Sequence, residues 1–391
     1  MSSGIQTATS SARELTEAIK EIAPRLQQNN TCLIILFFSP EYCTESFSEV
    51  MQHAFDNVLV TGCSTAGEIS PSGYQQHSIC GISFSADYFN ISLAFYDHLS
   101  ELNLKAWHDK CITLHSQHNT RYQLPDDTST FSLLFSDGLC RKEEPLVRIL
   151  ASAISGIPLV GGSAGDNTRF AQTFILHQKR LQSNCAVQLL ITTSLPFAIF
   201  KSQSIRATEQ RMVVTDAIPE KRTILEINGR PAASEYARQL GLSHSQLITD
   251  ELLAAHPVVV VMGDKEYVRS IQKINPDLSL TFYCAIDTGI VIRAGYSTDL
   301  VSSLQQHLTQ AQRQLHRIQT TLMFDCIMRR IELEQKQQLQ QASDLLKSYH
   351  PLGFSTYGEQ LNGLHVNQTC TGIVLGYPEP GDSRKKTLCP L

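Results

Sequence analysis

Gly161-Gly162-Ser163-Ala164-Gly165 matches G-x-S-x-G, the turn that exposes a nucleophilic serine in many hydrolases. A working elbow passes from a strand straight into a helix, whereas Asp166-Asn167-Thr168-Arg169 opens a polar loop here. A sister turn, Gly62-Cys63-Ser64-Thr65-Ala66-Gly67-Glu68, has alanine where the last glycine of the pattern belongs. Catalysis by Ser163 or Cys63 is therefore disfavoured against a tight backbone turn. Glu68 and Asp166 stand at like places after the two turns. Paired carboxylates can exchange protons, bind the amino group of a small ligand, or hold their own loop N–H groups; the last role is expected. Cys326 and Arg329 lie one helical turn apart behind an apolar strand. A guanidinium there could lower the thiol pKa or clamp a carboxylate, though such an arginine more often bonds a carboxylate of its own fold.

These residues need elements to hold them. Each glycine turn follows an apolar strand, at 58–61 and 158–161, and each strand is preceded by a strand and a helical pattern, at 32–38 with 40–55 and at 131–135 with 143–155. A repeat of this length predicts a duplicated strand–helix–strand unit over about 31–205. Facing turns poor in side chains could hold a small molecule among Gly62, Cys63, Ser64, Glu68, Gly162, Ser163 and Asp166, which points to a binding protein rather than an enzyme. Strands alternating with helices predict an α/β class of two mixed-sheet domains, the N-terminal one containing the duplication. The expected boundaries are an N-terminal helix at 1–30, opened by a Ser11–Glu14 capping box, domains at 31–220 and 221–378, and a flexible tail at 379–391. Residues 205–221 read as a link, and 329–349 as one long helix whose apolar stripe packs on the core.

Composition narrows the function classes. The chain has 391 residues, 42% of them hydrophobic and 18% charged, with net charge −5. That is ordinary for a folded protein, and no basic stripe suggests nucleic acid. No apolar run is long enough for a membrane span, and no basic-then-apolar start suggests export, so a cytoplasmic location is expected. Eleven cysteines, an odd number with no C-x-x-C, read as buried hydrophobes in a reducing compartment. The other histidines read as surface residues.

Taken in order, Thr61–Ile69, Val160–Asp166, Leu225-Glu226-Ile227-Asn228-Gly229-Arg230-Pro231-Ala232, Phe324-Asp325-Cys326-Ile327-Met328-Arg329-Arg330 and Gly353-Phe354-Ser355-Thr356-Tyr357-Gly358-Glu359 resemble the FIST family of signal-transduction sensor domains. The stretch from Ser355 through Thr369 resembles its nitric-oxide-sensing branch. That resemblance implies haem as cofactor, nitric oxide as signal, and a histidine kinase or cyclic-di-GMP enzyme as partner; a homodimer is possible within it. It makes His365 the axial metal ligand, with Tyr357, Glu359, Arg329 and Cys326 around the haem. A neutral imidazole binds ferrous haem through one nitrogen while its second nitrogen needs an oriented acceptor, for which Glu359 or a carbonyl would serve. A sensor of an amino acid or similar metabolite, without haem, is the competing reading. Cys389-Pro390 matches a weak haem-regulatory dipeptide.

Overall fold

Strand Thr31–Phe38 lies parallel to strand Leu59–Ser64, with helix Phe47–Ala54 crossing between them. The continuous apolar run Cys32–Phe38 suits a strand covered on both faces. The same crossover recurs at Ser129–Ser136, Glu143–Ala153 and Leu159–Ser163. It occurs a third time at Ile318–Cys326, helices Ile327–Gln335 and Leu339–Lys347, and Pro351–Thr356. The duplication is thus a triplication. The computed structural model describes residues 4–123, 128–242, 256–262 and 265–378; the expected tail and Cys389 lie outside them.

Each copy has further parts in common. An outer strand precedes it (Ile5–Ser10, Phe89–Tyr96 or Phe197–Gln203), and so does an entry helix (Leu15–Leu26, Leu104–Tyr122 or Leu300–Gln312). A short hairpin and a returning antiparallel strand follow it (Ile79–Ser85, Ala186–Thr193 or Thr369–Gly376). The hairpin is not kept at home. The first copy's hairpin pairs with Pro351–Thr356, the third's with Leu159–Ser163, and the second's with Leu59–Ser64. Three six-stranded mixed sheets result, each completed by a neighbour.

The sheets meet around Phe37, Phe135 and Phe324, which hold equivalent register positions opposite Cys63, Gly162 and Phe354. The three rings form a triangle with centroids 5.5, 5.9 and 6.4 Å apart, and Phe354 packs 4.7 Å from Phe37. Burying such a ring stabilises by about 1.5–3 kcal/mol.

The fourth sheet interrupts the third copy, between its outer strand and its entry helix. It is antiparallel, carries helix Ala232–Gln239 and has its own core around Tyr236, Val258, Phe282 and Ile292. Mixed α/β sheets in two domains are therefore present, but the sheets divide the chain at about 205 and 297 rather than once near 220. The expected link contains a fourteen-residue strand, Ile205–Ile218. Its alternation of charge with Met212 and Val214 is a half-buried strand pattern.

Local readings also changed. The amino terminus holds strand Ile5–Ser10 before its helix, and the helix starts at Leu15 after Glu14, which makes no side-chain cap. The expected long helix is broken at Gln337, whose φ is 56°; its apolar Leu333, Ala342 and Leu346 do enter the core. His118 is buried, held by Ser92 and Thr192 at 2.8 Å each.

Candidate functional site

The glycine turns come together, but not around a cavity. Gly165 N–H donates to the Ser64 carbonyl at 3.0 Å, Ala66 N–H to that of Ser355 at 2.9 Å, and Tyr357 N–H to that of Ser163 at 3.2 Å. Equivalent residues of three turns thus close a ring of backbone hydrogen bonds. The side chains of Cys63, Ser64, Glu68 and Ser163 are wholly buried. Gly62, Gly161 and Gly353 let parallel strands approach: an added Cβ would lie 1.8–1.9 Å from the facing carbonyl oxygen of Leu36, Leu134 or Met323. Gly162 leaves space for the Phe354 ring, 2.9 Å from where its Cβ would be.

These contacts correct the expectation that the turns hold a ligand. Among the described residues Ser163 Oγ hydrogen-bonds Ser136 at 3.2 Å and Gln360 at 3.0 Å, neither of which is an imidazole or a carboxylate. Burial pushes the Cys63 thiol well up, so it stays protonated and unreactive. The register matches Glu68 with Glu359, not with Asp166, because they lie opposite Phe354 and Gly162 in corresponding pairs. Thr65 and Ser78 bond Glu68, and Thr356 and Thr369 bond Glu359 in the same pattern. Burial, offset in part by these bonds, raises Glu68 to about 7 and Glu359 to about 8. In the second copy Ile175 takes that position opposite Cys63, and Asp137 accepts from Thr173 instead.

Asp166 belongs to a loop that only the second copy has, running from Ser163 to Ile175 where the other copies need Ser64 to Glu68 and Ser355 to Glu359. Its carboxylate accepts from the N–H groups of Phe170, Ala171 and Gln172 at 2.8 Å each, and from the Tyr357 hydroxyl. The loop-holding role expected for it is the one it has.

Arg329 and Cys326 are both buried. Arg329 Nε bonds Asp325 at 2.7 Å, and Tyr74 bonds the other carboxylate oxygen at 2.6 Å. Burial raises rather than lowers the Cys326 thiol, and the charge of Glu359 adds to the effect.

His365 lies on the third copy's hairpin and is 3% exposed. Neither ring nitrogen has a hydrogen-bond partner. Burial lowers its pKa, Glu144 and Glu143 act against that, and Arg222 and Arg269 act with it. Those charges form a clamp between the core and the inserted domain. Arg222 bonds Glu143 and Glu144 at 2.8 Å each and also the Tyr283 carbonyl, Glu144 accepts from Ala285 N–H, and Cys284 donates to Asn367 at 2.8 Å.

Beside the clamp a cleft of about 1050 Å³ opens between the core and the inserted domain. Arg141 and Phe170 of the second copy and Met328 and Ile331 of the third form one wall; Lys221, Lys273, Thr281 and Tyr283 are on the other. Sequence reasoning missed all of them as a site, since they come from loops, strands and a helix remote from one another in the chain.

A FIST N domain model matches residues 32–230, and a FIST C domain model matches 232–362. The chain belongs to the FIST family. FIST domains are signal-transduction sensor domains for small ligands and are generally not enzymes. The two FIST segments do not coincide with the structural units. The first takes in part of the first copy, the whole second copy, the third copy's outer strand and the start of the inserted sheet; the second takes in the rest of that sheet and the third copy up to its hairpin. An uncharacterized protein of Methanocaldococcus jannaschii is 26% identical over 197 residues, covering 50% of this chain and 37% of that protein. The match thus spans little more than a third of that relative. A crystal structure of cyanuric acid hydrolase from A. caulinodans aligns over 95% of this chain and 98% of its own at 8% identity, with a TM-score of 0.35.

The residues the FIST resemblance assigned to haem do not fit it as they stand. The Gly358 backbone closes over His365, where an added Cβ would lie 2.2 Å from the ring, and His365 does not line the cleft. No histidine or cysteine lines the cleft either. Among the described residues no group of three or more His, Cys, Asp or Glu could hold a metal ion, and no helix is long and apolar enough to cross a membrane.

Proposed function

We propose that this FIST protein senses a small organic ligand in the cleft between its threefold core and its inserted domain. One observation carries the reading: in the cleft, cations that make no ion pair among the described residues, aromatic rings and open volume coincide, while the glycine turns are closely packed. A ligand touching both walls prefers the closed arrangement and shifts the angle between the two bodies, hinged at the Arg222 clamp. A separate partner, a histidine kinase or cyclic-di-GMP enzyme, would read that angle. Among the described residues ten cysteines are free of disulfides, which is consistent with work in a reducing cytoplasm. Thermal-shift screening against amino acids and organic acids tests the proposal. A hit should disappear in Thr168→Trp, which fills the cleft from an exposed position; a hit that survives unchanged puts the site elsewhere.

The reading with haem and nitric oxide is favoured by one feature, the two unpartnered nitrogens of His365. Ligation would require the Gly358 turn to move off the ring. Haem-loaded protein should then show a Soret band that shifts with nitric oxide and is lost in His365→Ala. An unchanged band in that variant removes His365 from the reading.

A further inference from the structure

Phe170 is the unusual residue of the cleft. It sits on the loop found only in the second copy, with φ at 50°, in the left-handed region that phenylalanine rarely occupies. Its ring is slotted between rings from two different bodies: Tyr357 of the core, centroids 4.5 Å apart and 24° from parallel, and Tyr283 of the inserted domain, 5.6 Å and 36°. Phe170, Tyr283 and Met328 line the open cleft and also a small void behind it. Ser270 faces that void, 1% exposed, and its hydroxyl has no hydrogen-bond partner. A buried hydroxyl left unpaired costs about 1–3 kcal/mol, so a polar group delivered there is rewarded. The cleft is also lined by exposed Arg141, Lys221 and Lys273, which make no ion pair among the described residues, and Asp277 is the single carboxylate in the lining.

Resting on the cleft reading above, we propose that the slot between Tyr283 and Tyr357 is the binding site of a small planar aromatic carboxylate, and that Phe170 is a plug the ligand displaces. The aromatic ring takes the stacked position that Phe170 now fills. A polar substituent on the ring reaches Ser270, and the carboxylate points out toward Lys221, Lys273 and Arg141. Offset stacking favours a flat ring over a puckered one, and the cations favour the anion over its neutral form.

Calorimetry with 4-hydroxycinnamate tests this, with cinnamate, 4-hydroxycinnamyl alcohol and cyclohexanepropanoate as comparisons. Binding should be at least tenfold weaker for the neutral alcohol and for the puckered acid. Phe170→Ala and the milder Phe170→Leu should bind 4-hydroxycinnamate at least about fivefold more tightly, since a competing ring is gone. Ser270→Ala should erase the preference for 4-hydroxycinnamate over cinnamate. Equal binding of cyclohexanepropanoate, or weaker binding by both Phe170 variants, overturns the proposal. If no aromatic acid binds to any of these proteins while another compound gives a shift that Thr168→Trp abolishes, this proposal fails and the cleft reading stands.

Discussion

The ring of glycine turns and the cleft make opposite use of the same kinds of residue. In the ring, serines, carboxylates and glycines are packed to contact, and the backbone groups of three copies satisfy one another. In the cleft, residues scattered along the chain leave cations without ion pairs and space open. Motif-like sequence at the ring records tight backbone approach, because that is where side-chain identity is most constrained. The cleft residues come from positions scattered between 141 and 335, so no contiguous motif marks them.

The largest test of this contrast is Gly62→Ala. The new methyl would meet the Leu36 carbonyl oxygen, so the protein should lose more than about 4 kcal/mol in urea denaturation or fail to fold. Gly229→Ala, where nothing lies within 4 Å, should cost about 1 kcal/mol through its positive φ alone. Similar losses at the two positions would show that the ring is not close-packed. Phe324→Ala should cost about 3–5 kcal/mol, because three rings lose a neighbour at the centre. Arg222→Ala leaves buried Glu143 and half-buried Glu144 without their cation and should cost about 3 kcal/mol. It should also speed amide exchange at 283–285 while leaving the strands around Phe37 protected; uniform loss of protection would mean that the clamp is not a local hinge.

The pH dependence gives a smaller effect with a definite sign. Glu68 and Glu359 hold their protons more tightly folded than unfolded, so their contribution is fully present below the ordinary carboxyl range, near pH 4.5. It is lost as pH rises through about 7 and 8. Stability should fall over that window, and Glu359→Gln should flatten part of the fall. A slope unchanged in Glu359→Gln assigns it to other groups. The smallest expected change is Lys273→Glu, an exposed substitution worth within about 0.5 kcal/mol of stability. If that variant were strongly destabilised, the cleft wall would be structural, like the ring.

Much of the core was legible. Strand–helix–strand periodicity located both N-terminal crossovers, and the third was within reach. Gly353-Phe354-Ser355-Thr356-Tyr357-Gly358-Glu359 repeats the G-x-S-T-x-G-E spelling of Gly62 through Glu68 more faithfully than Gly161 through Asp166 does. The inserted sheet concealed it by separating the outer strand at Phe197–Gln203 from the rest of its copy. That same likeness shows Glu359 rather than Asp166 to be the partner of Glu68. Phe170, Ser270 and Tyr283 could not have been read, because their significance depends on which loops the fold brings to one place.

The exchange of hairpins among the copies has a consequence for synthesis. Ile69, made early, has its partner Gly353 in a strand the ribosome delivers only after the second copy and the inserted sheet. Until then the first copy carries an uncovered hairpin edge, and the second copy's Leu159–Ser163 strand lacks its lid. A chain halted before about residue 350 would therefore expose two unpaired borders at once, and such a product would invite clumping or proteolysis instead of persisting as a smaller stable fragment.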